Sequence, residues 1–163
     1  MIEVPSLFSE RLELRWMSPS MAHDILCGRR DATWGEGFPA AGEIKAATWV
    51  LSSRYDPLEV APFITYVIMV RDTGLLIGGA GFHNVPADRG IECGYGLCPA
   101  YQGFGYATEA ATLLVRAAFD SGKVDHVRAT TDEDNVRSKA VLKRAGFTPM
   151  NAFETEWLIS STQ

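Results

Sequence analysis

The sequence lacks three features that would place the protein on a membrane or on a nucleic acid. No run of apolar residues approaches the ~18 that a membrane-spanning helix needs, so no span is expected. The opening residues, 1–15, contain no basic segment followed by an apolar core, so we expect no secretory signal peptide. No block of Lys or Arg occurs and the net charge is −5, so nucleic acid is not expected as a partner.

Cysteine is scarce, and its positions show no ligand pattern. The three cysteines are Cys27, Cys93 and Cys98, and their spacing matches neither a metal site nor a redox pair. Cys98 has no paired histidine in the sequence to activate it as a nucleophile. We therefore expect no metal and a reducing, cytoplasmic setting.

Internal repeats and low-complexity linkers are also missing, which favours one domain over residues 1–163. Hydrophobic residues make up 47% of the chain and charged residues 21%. This balance is typical of a globular domain that buries a single core.

The order of the expected elements indicates a mixed sheet with helices on its faces, an α/β or α+β domain. Alternation of apolar and polar residues predicts strands, and apolar residues at helical spacing predict helices. The expected strands cover residues 11–17, 63–70, 75–82, 91–97 and 126–131, with one or two short strands within 147–159. The expected helices begin at Ser18, at Glu43, after Gly105 and at Asn135. Residues 35–42 and 84–90 are rich in glycine, proline and small polar residues, so we expect loops there.

The stretch "GLCPAYQGFGYATEA", residues 96–110, leads from a strand through glycines into a helix. Such a junction favours anion binding, because the first amides of a helix lack partners and glycine removes the Cβ that would keep a phosphate away. No Gly-Lys-Ser/Thr follows, so a P-loop is excluded, and Thr108 stands where a dinucleotide fingerprint has its third glycine. From the residues alone, the alternative is a tight strand-to-helix turn without a ligand.

The motif "QGFGYA", residues 102–107, resembles the Gln/Arg-x-x-Gly-x-Gly/Ala signature of the GNAT N-acetyltransferases. Three further segments resemble that family's opening strand, third strand and second cofactor motif, and they occur in the family's order: "SERLELRWMSP", "GLLIGGAGFHN" and "DEDNVRSKAVLKRAGF". The resemblance implies a mixed, mostly antiparallel central sheet flanked by helices on both faces. The chain looks most similar to the branch typified by the ribosomal-protein alanine acetyltransferases, which acetylates protein N-termini.

The resemblance implies acetyl-CoA as a cosubstrate, with its pyrophosphate on the signature loop and its pantetheine beside the fourth strand. It implies no metal, and dimers are frequent in the family. The cofactor-binding residues that follow are Leu97, Gln102, Gly103, Phe104, Gly105, Tyr106, Ala107, Thr108, Asn135 and Ser138.

Acetyl transfer to an amine needs a proton acceptor and a donor to the developing oxyanion. Glu92 is the candidate base, because strand alternation places it on one face with Gly94 and Gly96, which leave room for a ligand. A solvated glutamate on a half-exposed strand is the alternative. The backbone N–H of Leu97, at the end of this strand, is the expected oxyanion donor.

Ser138 is the candidate proton donor to the leaving thiolate. It shares a helix face with Val141 and Leu142, so its hydroxyl should point toward the sheet, and the resemblance puts it near the thiol. The alternative is a serine that bonds the backbone at the start of the helix. Asn135 is expected to cap this helix and to contact pantetheine. Near the position of Leu142 many family members carry a tyrosine that donates a proton to the thiolate. Leucine has no proton to donate, so this role does not transfer to the present chain.

These observations predict an N-acetyltransferase that moves an acetyl group directly from acetyl-CoA to a primary amine. Two alternatives to an enzyme that acetylates a protein N-terminus stay open. The first is a small-molecule amine such as a polyamine, an antibiotic or an amino acid. The second is a module that binds acyl-CoA without turnover.

Overall fold

The computed structural model describes residues 3–161, which form eight strands and five α-helices. The strands are β1 (Leu7–Phe8), β2 (Leu12–Trp16), β3 (Thr65–Val70), β4 (Leu75–Ala87), β5 (Gly90–Leu97), β6 (His126–Thr130), β7 (Thr148–Pro149) and β8 (Glu156–Ser160). The helices are α1 (Pro19–Cys27), α2 (Ala41–Ser52), α3 (Pro57–Val60), α4 (Tyr106–Asp120) and α5 (Val136–Arg144). A short 3₁₀ helix covers Pro99–Tyr101.

The strands form one sheet in the order β1-β2-β3-β4-β5-β6-β8-β7. Every neighbouring pair is antiparallel except β5 and β6, which are parallel. The parallel pair is short, because its register joins only residues 90–92 to residues 126–128. Beyond Glu92 the two strands separate, and the second half of β5 has an open edge within the described part of the chain. The expected mixed, mostly antiparallel sheet is therefore confirmed.

Helices cover both faces of this sheet. On one face α4 and α5 bury Ala110, Leu114 and Leu142 against the sheet in the larger core cluster. On the other face α1 and α2 bury Ile25 and Ala47 in a second cluster. No helix among the described residues is long and apolar enough to cross a membrane.

Capping and turn residues act where the sequence predicts them. The Ser18 side chain accepts from the Met21 N–H at the start of α1, with Pro19 at the first helical position. Asn135 accepts from the Ser138 N–H at the start of α5. Gly122, after α4, has a left-handed backbone with φ 71°, as a helix stop requires.

Two boundaries differ from expectation. Strand β4 runs to Ala87 and takes in residues 84–87 of the expected loop over residues 84–90. Asn84 adopts a positive φ of 65°, and a register shift bends the strand without ending it. Helix α2 begins at Ala41, so Gly42 lies inside it, and the helix ends at Ser52. Trp34 and Phe38, in the same glycine-rich loop, are buried and pack edge to face at 5.4 Å.

Two glycines of the β4–β5 pair should respond differently to the same substitution. A Cβ on Gly78 would overlap the carbonyl oxygen of Gly96, whereas a Cβ on Gly96 would meet no atom within 4 Å. We expect Gly78→Ala to lower the free energy of unfolding by about 3 kcal/mol. Gly96→Ala should change it by less than about 1 kcal/mol. Urea unfolding of both variants measures these changes. Equal losses of unfolding free energy in the two variants would contradict the close approach of Gly78 to the Gly96 carbonyl.

Candidate active site

The turn between the 3₁₀ helix and α4 has two glycines in the left-handed region. Gly103 has φ 88° and Gly105 has φ 83°, and Gly105 is the N-cap of α4. A side chain at either position would strain the backbone. The N–H groups of the first turn, Tyr106 to Thr108, have no partners within the helix and point out of its positive end. The turn therefore presents backbone donors to an anion.

Arg11, on the loop before β2, holds this turn in place. Its Nη1 donates to the Phe104 carbonyl at 2.8 Å, its Nε donates to Glu109 Oε2 at 2.7 Å, and its guanidinium lies 4.6 Å from the centre of the Tyr106 ring. Burial raises the pKa of Glu109, but hydrogen bonds from Ser9 and Arg11 outweigh it, and the net pKa is lowered. Glu109 is thus held ionised as the partner of Arg11.

Gln102 ties the turn to the end of β5. Its side-chain amide donates to the Leu97 carbonyl at 3.0 Å, and its oxygen accepts from Arg137 of α5. One of the two amide hydrogens is therefore engaged within the protein, and the second is left for a ligand. The contact occupies the carbonyl of Leu97 but not its N–H.

The N–H of Leu97 points toward the open edge of β5. The next residue, Cys98, donates to the Ile77 carbonyl on β4 at 2.8 Å. In an antiparallel pair consecutive residues alternate between facing the partner strand and facing away, and Leu97 is opposite Gly78. The Leu97 N–H is therefore directed away from β4, into the opening between β5 and β6.

Two hydroxyl groups lie together beside this opening. The Tyr95 phenol is 3.1 Å from Ser138 Oγ, which links β5 to the first turn of α5. The Ser138 hydroxyl faces the sheet, as its helix face predicts, and its N–H is capped by Asn135. Burial raises the pKa of Tyr95 to about 12, so the phenol keeps its proton at neutral pH. Leu142 lies in the core, only 1% exposed.

A cleft of about 520 Å³ lies on the other face of the same strands. Its floor is free of side chains at four glycines, two from each strand: Gly79 and Gly81 of β4, Gly94 and Gly96 of β5. Helix α2 forms one wall with Glu43, Ala46 and Trp49. This volume falls within the usual range for a small-ligand site.

Residues 11–148 match the family profile of the acetyltransferase (GNAT) domain. The chain belongs to the GNAT acetyltransferase family. It is 30% identical over 104 residues to YnaD and 31% identical over 86 residues to YjdG, both uncharacterized N-acetyltransferases of Bacillus subtilis (strain 168). These alignments cover 64% and 52% of this chain. The chain spans about half the length of these relatives, 58% of YnaD and 51% of YjdG.

Solved structures of GNAT proteins share this fold. RimJ of Mycobacterium smegmatis, in complex with CoA-disulfide, gives a TM-score of 0.67 at 18% identity and covers 97% of this chain and 88% of its own. Ribosomal-protein-S5-alanine acetyltransferase of Vibrio fischeri gives 0.64 at 18% identity and covers 96% of each chain. An acetyltransferase of Agrobacterium tumefaciens str. C58 gives 0.66 at 25% identity, covering 100% of this chain and 97% of its own.

Glu43 is the only charged side chain that is buried in the described part of this GNAT chain, with 4% exposure. Its Oε2 accepts from the Ala40 N–H at 2.8 Å, at the start of α2. Its Oε1 would lie 3.2 Å from a Cβ on Gly79, so the carboxylate rests on the glycine floor of the cleft. Burial raises the pKa of Glu43, and the Ala40 N–H only partly offsets this.

Glu92, the predicted base, is not among the lining residues of the cleft and lies beside His83, which is. Its Oε1 accepts from Thr130 Oγ1 at 3.1 Å and lies 3.5 Å from His83 Nδ1. The His83 ring extends over Gly94, where a Cβ would be 3.0 Å from its Nε2. Leu97 is five residue steps along the extended strand from Glu92, about 16 Å at the usual rise. The structure therefore brings Leu97 together with Tyr95 and Ser138, and leaves Glu92 apart from them.

Three residues of this site were missed by the sequence analysis. The contacts of Arg11 with the α4 turn join positions 98 residues apart, and no local pattern marks them. Strand alternation puts Tyr95 on the face of β5 opposite to Glu92, which indicates a core residue, although a partly buried phenol usually needs a hydrogen-bond partner. Glu43 precedes the buried Ala47 by four positions, so the two residues lie on the same face of α2. A charged residue on this apolar face is the signal in the sequence that could have identified Glu43.

The raised pKa of Glu43 should make stability depend on pH. The folded state binds a proton more tightly than the unfolded state, so the parent loses stability as pH rises from the ordinary pKa of 4.5 through the folded one. Glu43→Gln keeps an acceptor for the Ala40 N–H but does not titrate. Its unfolding free energy relative to the parent should therefore be higher at pH 8 than at about pH 4.5.

Denaturant unfolding of both proteins at the two pH values measures this difference. The charge of Glu43 acts on Cys98, but burial raises the pKa of Cys98 to about 11, outside the tested range. The other titratable residues that line the cleft, Lys45, Tyr66 and His83, are present in both proteins. If the unfolding free energy of Glu43→Gln relative to the parent stays constant or falls with pH, the burial of the Glu43 carboxylate is contradicted.

Proposed function

We propose that this chain is an acetyl-CoA-dependent N-acetyltransferase that moves the acetyl group directly to a primary amine. One observation carries the proposal: the separation of β5 from β6 puts a free backbone donor, a hydroxyl pair and an anion-binding turn along one opening. The glycine-floored cleft reaches the same strand from its other face. Donor and acceptor substrates therefore have separate approaches to Leu97.

The residues present fit acetyl-CoA. The turn before α4 offers the backbone donors of residues 103–108 to the pyrophosphate, with no Cβ at Gly103 or Gly105 to block it. The opening between β5 and β6 suits pantetheine, with Asn135 and Ser138 beside it. Thr131, just beyond β6, has a buried hydroxyl without a hydrogen-bond partner among the described residues, so a polar group can be received there. RimJ of the same fold binds CoA-disulfide.

In this proposal the protein supplies hydrogen bonds at both oxygen and sulfur. The Leu97 N–H donates to the carbonyl oxygen of the thioester and stabilises the negative charge that develops as the amine attacks. The Tyr95 phenol and the Ser138 hydroxyl hydrogen-bond the sulfur as the thiolate leaves. The amine loses its proton, the carbon–nitrogen bond forms and the carbon–sulfur bond breaks.

Glu92 as the proton acceptor stays a prediction. Because its carboxylate lies far along the strand from Leu97, proton transfer needs a chain of water molecules over the glycine floor. His83, beside Glu92, extends this route over Gly94.

We propose the α-amino group of a protein or peptide as the acceptor, with a small-molecule amine as the second candidate. Support for the first is the shared fold with ribosomal-protein acetyltransferases. Support for the second is the cleft volume of about 520 Å³, which suits a small ligand.

Acetyl-CoA consumption with a panel of amines tests the function. The panel contains alanyl, seryl and methionyl peptides, spermidine, aminoglycosides and free amino acids. Turnover with any member supports acetyl transfer, and the ranking separates the two acceptor classes. CoA binding without turnover on any member would favour a non-catalytic acyl-CoA-binding module.

The glycine turn allows a direct test of the cosubstrate site. Gly105→Glu should abolish CoA binding, because the new side chain blocks the amides and repels the phosphates. Gly28→Glu is the matched control, since Gly28 also has a positive φ, 68°, but ends α1 far from the turn. Calorimetry on both folded variants measures the affinity. Parent-like CoA binding by Gly105→Glu would remove the turn from the site.

The hydroxyl pair should affect turnover and not acetyl-CoA affinity. We expect Ser138→Ala and Tyr95→Phe each to lower the single-turnover rate about 10-fold, because the hydrogen bonds act on charge that develops at sulfur. The double variant should lose little more, since the two groups act as a pair. Ser20→Ala, an exposed serine of α1, is the control. Rates within twofold of the parent would assign Ser138 and Tyr95 to packing and capping.

A further inference from the structure

The cleft presents its one buried carboxylate to the point where the acceptor must bind. Only two backbone N–H groups, those of Ala40 and of Glu43 itself, lie against the Glu43 carboxylate among the described residues, although a carboxylate accepts up to about four hydrogen bonds. A buried carboxylate with unused acceptor sites favours a cationic ligand, because a cation offsets the cost of burial. The residue therefore has both the charge and the capacity to bind an ammonium group.

The position of Glu43 matches the proposed site of transfer. Its carboxylate rests against Gly79, and the cross-strand partner of Gly79 is Gly96, the residue before Leu97. Paired residues of this kind have Cα atoms about 5.5 Å apart. An amine held by Glu43 above Gly96 thus lies within one strand spacing of the Leu97 N–H, far closer than one held by Glu92.

An aromatic groove continues from this point along α2. Ala46 and Trp49 follow Glu43 at intervals of three residues and line the same cleft, with Trp49 about 9 Å further along the axis. Trp49 also borders a second cavity of about 120 Å³ whose lining includes Trp16, Tyr55, Phe63 and Phe82. The two cavities share four lining residues: Trp49, Thr65, Phe82 and Asn84. The path away from the carboxylate is therefore lined mainly by aromatic and apolar side chains, with the polar Thr65 and Asn84 where the two cavities meet.

We propose that Glu43 binds the ammonium group of the acceptor and that the groove beyond Trp49 holds an apolar, preferably aromatic, group of the same molecule. The substrate class is then a primary amine that carries an apolar group a few bonds from nitrogen. This inference rests on the proposed function. Lys45, the other charged residue of the α2 wall, is exposed at the rim, where solvent screens it.

Three small probes separate the two parts of the proposal. Calorimetric titration of the CoA-loaded protein uses 2-phenylethylamine, its uncharged analogue 2-phenylethanol and ethylamine, which lacks the ring. We expect the parent to bind 2-phenylethylamine at least about 10-fold more tightly than either analogue, since a charge-assisted contact and a buried ring each contribute that much.

Two variants separate the contribution of the Glu43 charge from that of the aromatic groove at Trp49. Glu43→Gln should weaken 2-phenylethylamine at least about 10-fold and leave 2-phenylethanol unchanged. Trp49→Ala should weaken both phenyl compounds and spare ethylamine. Glu10→Gln carries the same substitution as the first variant on an exposed glutamate that does not line the cleft, so it should bind like the parent.

CoA affinity of each variant reports on folding separately from amine binding. If the parent fails to bind CoA, the proposed function is wrong. If CoA binds but Glu43→Gln holds 2-phenylethylamine within twofold of the parent, or the parent does not bind this amine at all, the inference is overturned. Should Glu43→Gln not fold, Glu43→Ala replaces it, because it removes the charge and leaves no polar group to bury. Parent-like amine binding by a folded Glu43→Ala would likewise overturn the inference.

Discussion

The site depends on the point where β5 and β6 stop pairing. Three residue pairs hold the parallel strands together, and past Glu92 the edge of β5 carries backbone groups that no strand satisfies in the described structure. Unpaired backbone groups away from water cost free energy, so this edge needs water or a ligand. Gln102 satisfies the Leu97 carbonyl, which leaves the Leu97 N–H as the donor toward the opening. Sheet geometry therefore creates the donor without a dedicated side chain.

Glycine serves two separate purposes in the β4–β5 pair. At Gly81 a Cβ would lie 2.7 Å from the Ile64 carbonyl oxygen, so packing between strands excludes a side chain. At Gly96 no atom lies within 4 Å of the Cβ position, so the position is open to the cleft. Glycine thus permits the close approach of strands at one position and leaves space in the cleft at another. The number of glycines in the sequence does not show which glycine has which role.

Features set by neighbours in the chain could be predicted from the sequence. The two faces of β5, the Ser18 and Asn135 caps and the glycine turn before α4 all follow from residues within a few positions of each other. The motif resemblance added the family. The direction of the Ser138 hydroxyl followed from helix periodicity, but its partner Tyr95, 43 residues away, did not. Contacts of this kind depend on how strands and helices meet in space, which periodicity does not specify.

Glu43 shows why a local anomaly can carry more information than a motif. Glutamate at the third helical position commonly belongs to a capping box whose N-cap is serine or threonine. Here the N-cap is Ala40, which has no hydroxyl to return the bond, so only half of that arrangement exists. The remaining bond fixes the carboxylate against the glycine floor, at a cost in desolvation that raises its pKa. A helix start needs no buried charge, whereas the cationic acceptor that we propose does. In that proposal the backbone contact orients the carboxylate before the substrate arrives.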